Sequence, residues 1–339
     1  MKATKFDGQG AKPFTMADKA ILAADTPYAW VDVRASGPAD PELEPFLTEL
    51  GFSDVMAAYA TRSEAAGMFQ VVNDNLVGAT WAADEGNNPA LVHFVWDAAR
   101  LVTVRFGGDR ALQSVYKQIE ARGPHLFTQP TVVPGVVLDL ILASVDRRLT
   151  EIDSQIADLD AQIIEHANPS QLHQLRTIGG EITPLARRLP VYLDDLSEAL
   201  VDPSTLPGMD TDGAQFLQVY QSHVRDTVSR VGDASDAMRS AAQDYQTELA
   251  NRQGNRINQL TVVSMIFLPV TFLTGYFGMN FQWLINETQS AGIWLALGVI
   301  LPVLAVVGST AALSRNGFVI RSKRAARRND PVTAPSTSG

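Results

Sequence analysis

Ile257, Leu260, Thr261, Ser264, Leu268, Thr271 and Gly275 recur at intervals of three and four, which sets them along one side of a helix. Hydroxyls and a glycine mix there with aliphatic side chains, in a stretch that carries no charge from 257 to 286. Two kinds of chemistry suit such a stripe. It can line a polar path whose aliphatic positions are dewetting constrictions, or it can bring helices into close contact through small residues. The residue types leave both open. Other chemistries are excluded or unsupported. There is no cysteine, so disulfides, thiolate zinc sites, iron–sulfur clusters and a cysteine nucleophile are all ruled out. The histidines, His93, His125, His166, His173 and His223, show no metal-ligand spacing, and Pro169 separates His166 from His173. No nucleotide loop, nucleophile elbow or zinc-protease motif occurs, so neither an enzyme nor an organic cofactor is expected. A formal charge of −10 argues against nucleic acid as a partner.

The elements that carry the stripe are legible from charge. Residues 1–256 hold 21 Lys/Arg against 35 Asp/Glu, residues 257–314 hold the single charge Glu287, and residues 315–339 hold six basic side chains and one acid. A spanning helix needs about 20 mostly apolar residues. Segments 257–280 and 291–314 both qualify, joined by a loop at 281–290, and the pattern predicts a membrane hairpin. Arg252 and Arg256 precede the first segment; Arg315, Arg321, Lys323, Arg324, Arg327 and Arg328 follow the second; the loop has no Lys or Arg. Both termini are therefore expected in the cytoplasm. Acids and prolines interrupt every apolar run in the first thirty residues, unlike a signal peptide. Arginine outnumbers lysine 21 to 6, which suggests a GC-rich bacterium and hence its inner cell membrane. Two spans cannot enclose a watery path, so transport would require self-association in the lipid.

The cytoplasmic part divides after an N-terminal extension, 1–27. Residues 28–127 read as a mixed α/β domain, with strand candidates at 28–33, 68–72, 76–82, 91–96 and 101–106 and helices at 41–51 and 109–121. Residues 128–256 read as helical stalk. Over 136–167 the apolar positions Leu138, Leu142, Val145, Leu149, Ile152, Ile156, Leu159 and Ile163 keep the coiled-coil interval. Asn168-Pro169 should end that helix. A second helix, 171–200, is expected to bend or break at Pro184 and Pro190. A third starts near 212 and meets no strong breaker except Gly254 before the first span. A continuous helix over 213–280 would be about 100 Å long at 1.5 Å per residue.

The end of that helix reads Tyr276-Phe277-Gly278-Met279-Asn280-Phe281. A Gly-Met-Asn closing the first of two C-terminal spans resembles the CorA family of divalent-cation transporters. Asn255-Arg256-Ile257-Asn258-Gln259-Leu260-Thr261 is similar to the family's entry to that span, and Pro269, Thr271, Phe272 and Gly275 fall where the family has them. The three-helix order before the membrane and the region of Trp30–Asp32 also match, so the likeness covers about 28–328.

The resemblance implies an α+β cytoplasmic domain, long stalk helices and a two-helix C-terminal hairpin, assembled as a funnel-shaped homopentamer. Five first spans would line the pore. Gly278, Met279 and Asn280 would form the selectivity filter, with Ile257, Leu260, Thr261, Ser264, Leu268, Thr271 and Gly275 below it. Mg²⁺ surrenders its water reluctantly, and a ring of Asn280 carboxamides can hold the hydrated ion through its waters. Asn280 could equally cap the helix, and Met279 reads as packing. Glu287 would be either an acidic ring that concentrates cations or a solvated loop residue. Magnesium-transporting relatives commonly carry Met-Pro-Glu-Leu in the loop, where this chain has Gln282-Trp283-Leu284-Ile285-Asn286-Glu287. Hydrated Mg²⁺, with Co²⁺ and Ni²⁺ as companions, is therefore set beside Zn²⁺ as cargo. A non-conducting membrane-anchored regulator is the alternative from another class. The family also implies cytoplasmic Mg²⁺ sensing by carboxylates between subunits. Asp146, Glu151, Asp153, Asp158, Asp160 and Glu165, with Asp226, Asp233, Asp236 and Asp244, are candidates without assigned roles, and solvated helix faces are the plainer reading.

Overall fold

The computed structural model describes residues 1–7, 9–15, 28–52, 69–72, 74–83, 89–106, 112–122, 124–279 and 291–315. They fall into two compact units, Met1–Tyr245 and Gln246–Gly339.

The first unit is built on a seven-stranded sheet. Its strands are β1 (Lys2–Asp7), β2 (Gly10–Phe14), β3 (Ala29–Ala35), β4 (Phe69–Val72), β5 (Asn75–Ala82), β6 (Ala90–Trp96) and β7 (Arg100–Phe106), in the order β2-β1-β3-β7-β6-β5-β4. β3 and β7 run parallel, with Val33 opposite Val104; the other pairs are antiparallel. Residues 2–14, read from sequence as part of an extension, thus belong to the sheet. The register follows the period-two alternation of strands. Trp30, Phe94, Trp96 and Leu101 enter one core. Val31, Val33, Val95, Val102 and Val104 enter the other, under Leu43, Phe46 and Leu47 of α1 (Leu43–Glu49).

The larger core is shared with helices. After α2 (Gln113–Arg122) and the single turn α3 (Pro124–Phe127) come α4 (Val133–His166), α5 (Pro169–Ala199) and α6 (Thr211–Phe277). α4 packs on β5, and α5 on β4. The sheet and the three long helices bury one continuous cluster, so no core boundary falls at 127/128. All eight apolar positions expected along the first helix, Leu138 through Ile163, are buried. Asn168-Pro169 stops α4 and also starts α5. The Asn168 side chain accepts from the Ser170 N–H at 3.0 Å, and Gln171 accepts from the Asn168 N–H at 2.8 Å, which is a capping box. Pro169 occupies the first turn, where its missing N–H costs nothing.

Of the two outcomes expected at Pro184 and Pro190, a bend or a break, the break does not occur; both lie inside one helix. Each removes one backbone hydrogen bond. The buried side chains around them, Ile182, Leu185, Leu189, Tyr192 and Leu196, hold the helix against the core and outweigh that loss. Polar locks fix the layers. Thr103 donates to Asp32 at 2.7 Å, Arg105 donates to the same carboxylate at 3.0 Å, and Tyr116 of α2 donates to it as well. Arg148 of α4 forms a fork with Glu181 of α5, both bonds at 2.8 Å. The Tyr192 and Tyr220 hydroxyls meet at 2.9 Å between α5 and α6.

In the second unit, the C-terminal part of α6 runs on through Gly254 and Pro269 to Phe277. A further helical segment comprises α7 (Ala291–Leu295), a π-helical turn (Ala296–Ile300) and α8 (Leu301–Arg315). Pro302 lies two residues after the π turn. Its ring would clash with the carbonyl four residues back in α geometry, and the wider turn relieves that clash.

Candidate functional site

Every residue of the predicted stripe lies in α6, which extends without a break from Thr211 to Phe277. Leu268 is 74 % exposed, Leu260 68 % and Ile257 64 %; Ser264, Thr271 and Gly275 are exposed too, and Thr261 is half-buried. Elsewhere on this stretch Phe267 and Phe272 are 64 % and 70 % exposed, while Val262, Ile266, Pro269, Val270 and Leu273 are half-buried. A mostly apolar helix with no side chain fully buried by its own chain over this window needs an apolar medium or other helices around it. By length and composition this one is able to cross a membrane, and Ala296–Ala311 is a shorter apolar helix.

One hydroxyl on the stripe, that of Thr261, and one beside it, that of Thr274, are oriented by the helix's own carbonyls. Thr261 donates its proton back to the Ile257 carbonyl at 2.9 Å, and Thr274 donates to the Thr271 carbonyl at 3.0 Å. A hydroxyl that donates inward keeps its lone pairs outward as acceptors. The waters around a cation point their protons away from it, so they meet acceptors of this kind. At the end of α6 the Gly278 N–H donates to the Thr274 carbonyl at 2.9 Å, and the Met279 N–H to that of Tyr276 at 3.3 Å. Gly278 and Met279 therefore complete the last turn, and Met279 is exposed. Asn280, Glu287 and the loop 281–290 lie outside the described residues, as do the basic residues beyond Arg315.

The acidic helix faces are partly neutralised within the chain. Asp146 of α4 lies 3.2 Å from Arg230 and accepts from Thr227 at 3.1 Å; burial raises its pKa, against these partners. Arg230 also lies 3.8 Å from Asp153, Glu151 pairs with Arg148 at 2.8 Å, and Asp236 with Arg239 at 3.3 Å. His223 Nδ1 lies 2.6 Å from Asp139 across α4 and α6. Asp139, Asp146, Asp226, His223 and Arg230 line a cavity of about 300 Å³. Among the described residues, no group of three or more His, Asp or Glu side chains is arranged to hold a metal ion. Near the apolar end of α6, Arg252 pairs with Glu248 at 2.8 Å.

Sequence reasoning missed the β1–β2 hairpin and the buried locks. The hairpin was signalled by Asp7-Gly8-Gln9-Gly10 between two short runs, a turn composition that favours tight reversals. Nothing local announces Arg148–Glu181 or Tyr192–Tyr220, because each pair joins residues about thirty positions apart.

These features have counterparts among known proteins. The putative metal ion transporter YfjQ of Bacillus subtilis is 29 % identical over 86 residues, 24 % of this chain and 27 % of that protein. The cobalt/magnesium transport protein CorA of Thermotoga maritima is 26 % identical over 149 residues, 42 % of this chain and 39 % of that protein. The matched stretches thus span less than half the length of these curated relatives. The complete structure of the CorA magnesium transporter of Methanocaldococcus jannaschii superposes with a TM-score of 0.75 at 15 % identity, covering 94 % of this chain and 99 % of that one; it shares the fold of an α/β domain with long helices. The family described as CorA-like Mg2+ transporter protein matches residues 26–315. Over most of its length, therefore, the chain belongs to the CorA family.

Proposed function

We propose that this protein conducts divalent cations across the cell membrane, hydrated Mg²⁺ first among them, through a pore lined by α6. The observation that carries the reading is the single helix Thr211–Phe277, apolar and with no buried side chain over its C-terminal span, with the Thr261 hydroxyl turning its acceptor lone pairs outward on one stripe and Gly278-Met279 closing it. Family membership supports it, since the relatives named above are metal-ion transporters by description. In this reading 257–280 and 291–314 span the bilayer, 281–290 is the outer loop, and 1–256 and the tail 315–339 are cytoplasmic. Five copies enclose the path, because one chain supplies too few spans to do so. Asn280 carboxamides converge at the outer mouth and hydrogen-bond the ion's waters. Glu287 raises the local cation concentration. Ile257, Leu260 and Leu268 form apolar constrictions that dewet when the helices close.

Mg²⁺ is preferred to Zn²⁺ because the stripe offers neutral oxygens and no His, Cys or carboxylate. Tetrahedral zinc sites are made from those ligands, whereas a hydrated ion needs only acceptors. The membrane potential contributes about 4–5 kcal/mol per 100 mV for a divalent ion, so no nucleotide is required. Uptake of Mg²⁺, Co²⁺, Ni²⁺ and Zn²⁺ into proteoliposomes tests the reading. Mg²⁺ uptake that exceeds Zn²⁺ uptake and follows the imposed potential is expected. Zn²⁺ uptake without Mg²⁺ would favour the zinc alternative, and no uptake of any ion would leave a membrane-anchored regulator.

A further inference from the structure

A cavity of about 430 Å³ lies between α4 and α5 within the Met1–Tyr245 unit, a volume in the range of small-ligand sites. Its lining is chemically one-sided. Leu159 and Ile178, 4 % and 3 % exposed, give it an apolar wall. The groups beside them accept rather than donate. Asp158 and Glu181 contribute carboxylates. Thr177 spends its proton on the His173 carbonyl at 3.1 Å, which leaves its lone pairs to accept. Arg148, the one basic side chain of the lining, is committed: Nε and Nη2 donate to Glu181 and Nη1 to Glu151, each at 2.8 Å. The stretch 149–175 holds five acids and no lysine or arginine. An anion therefore finds no uncommitted cation here. A metal ion finds no cage either, since among the described residues no group of three or more His, Asp or Glu side chains is arranged to hold one.

We propose that this cavity binds a linear aliphatic polyamine, with its ammonium groups on the Asp158 and Glu181 carboxylates and its methylenes against Leu159 and Ile178. An ammonium brings donors and no acceptor, the complement of a lining that accepts. The alkyl chain between two ammoniums gains from the apolar wall, as the stem of a lysine side chain does, and a hydrated metal ion has no such gain. The spacing fits as well. Asp158 follows Glu151, the carboxylate that flanks the Arg148–Glu181 pair, by seven residues, which is about 10 Å along α4 at 1.5 Å per residue. A triamine such as spermidine bridges a gap of that length, whereas a single ammonium satisfies only one end. Bound there, the polyamine ties Asp158 of α4 to Thr177 of α5. The proposal lies inside one unit and is independent of the membrane placement given above.

Isothermal titration of the full-length, detergent-solubilised protein with spermidine tests the assignment. A single spermidine per chain is expected, and propylamine should bind more weakly. Asp158→Asn should weaken spermidine binding about fivefold. Thr177→Trp from α5 and Gln162→Trp from α4 each place an indole in the cavity and should abolish binding. All three positions are exposed, so the variants should melt with the parent, and the two tryptophan variants check one another. Mg²⁺ should displace spermidine no more than Na⁺ does at equal ionic strength. Absence of spermidine binding to the parent, or binding unchanged in the three variants, would overturn the proposal. Displacement by Mg²⁺ beyond that by Na⁺ would overturn it too, by making the cavity a site for inorganic divalent cations.

Discussion

Glu181→Gln should destabilise the Met1–Tyr245 unit far more than its conservative look suggests. Arg148 and Glu181 side chains are 8 % and 4 % exposed, and two bonds of 2.8 Å join them. Glutamine keeps the shape but removes the charge, and it turns an amide donor toward a guanidinium that only donates. The Arg148 charge then stays buried with Glu151, itself 42 % exposed, as its remaining partner. Breaking a buried pair from one side costs about 3–5 kcal/mol. For a unit of this size each kcal/mol moves the melting temperature by about 2–4 °C, so a fall of roughly 6–20 °C is expected. The double variant Arg148→Met/Glu181→Leu removes both desolvated charges and should melt near the parent. Loss of the exposed Glu151 partner adds at most about 1 kcal/mol. Trp30, Trp81 and Trp96 are buried in the same core, so their fluorescence reports the transition. A single variant within a degree or two of the parent, or a double variant as unstable as the single, would refute the buried-charge reasoning.

Burial of His93 in β6 lowers its pKa to about 4. The folded state therefore excludes a proton that the unfolded chain accepts near pH 6.5, and stability is lost as pH falls from about 6.5 to 4, by up to about 3 kcal/mol; His93→Phe should flatten that slope in thermal melts. Met238→Pro removes a hydrogen bond inside α6, where Met238 abuts Gly179 of α5, and costs about 3 kcal/mol. It should abolish ion-dependent regulation of flux while the chain still reaches the membrane, and unchanged regulation would show that α6 need not be continuous. The detergent-solubilised protein should have a mass near five chains of 36.7 kDa, about 180 kDa as a closed ring requires; a monomer as sole species by light scattering would contradict the pore.

How far the sequence revealed the fold depended on the range of the signal. The heptad-like run of α4 was legible because one face, from Leu138 to Ile163, packs throughout and local spacing reports it. The strands β3 to β7 were legible because Gly, Asn and Asp clusters bracket short β-branched runs. Pro184 and Pro190 left a break open as an outcome because helix propensity is local, whereas the burial of Leu185, Leu189 and Tyr192 that keeps the helix whole is tertiary. The Asp32–Arg105–Tyr116 lock was invisible because its members meet only across neighbouring strands and α2. The stripe on α6 was legible as spacing, and its acceptor orientation was not, since it depends on which way Thr261 donates.

Mg²⁺ flux through Asn280→Ala, reconstituted beside the parent at equal density and equal oligomer mass, tests the central claim most directly. One substitution removes every converging carboxamide from the pore mouth. The account predicts that flux falls to a small fraction of the parent while the assembly stays intact. It also predicts that Asn280→Asp binds divalent ions more tightly and acquires a pH dependence, because clustered carboxylates cannot all remain ionised without a cation. Parent-like Mg²⁺ flux in Asn280→Ala would mean that Gly278-Met279-Asn280 only caps the helix, and would contradict the account.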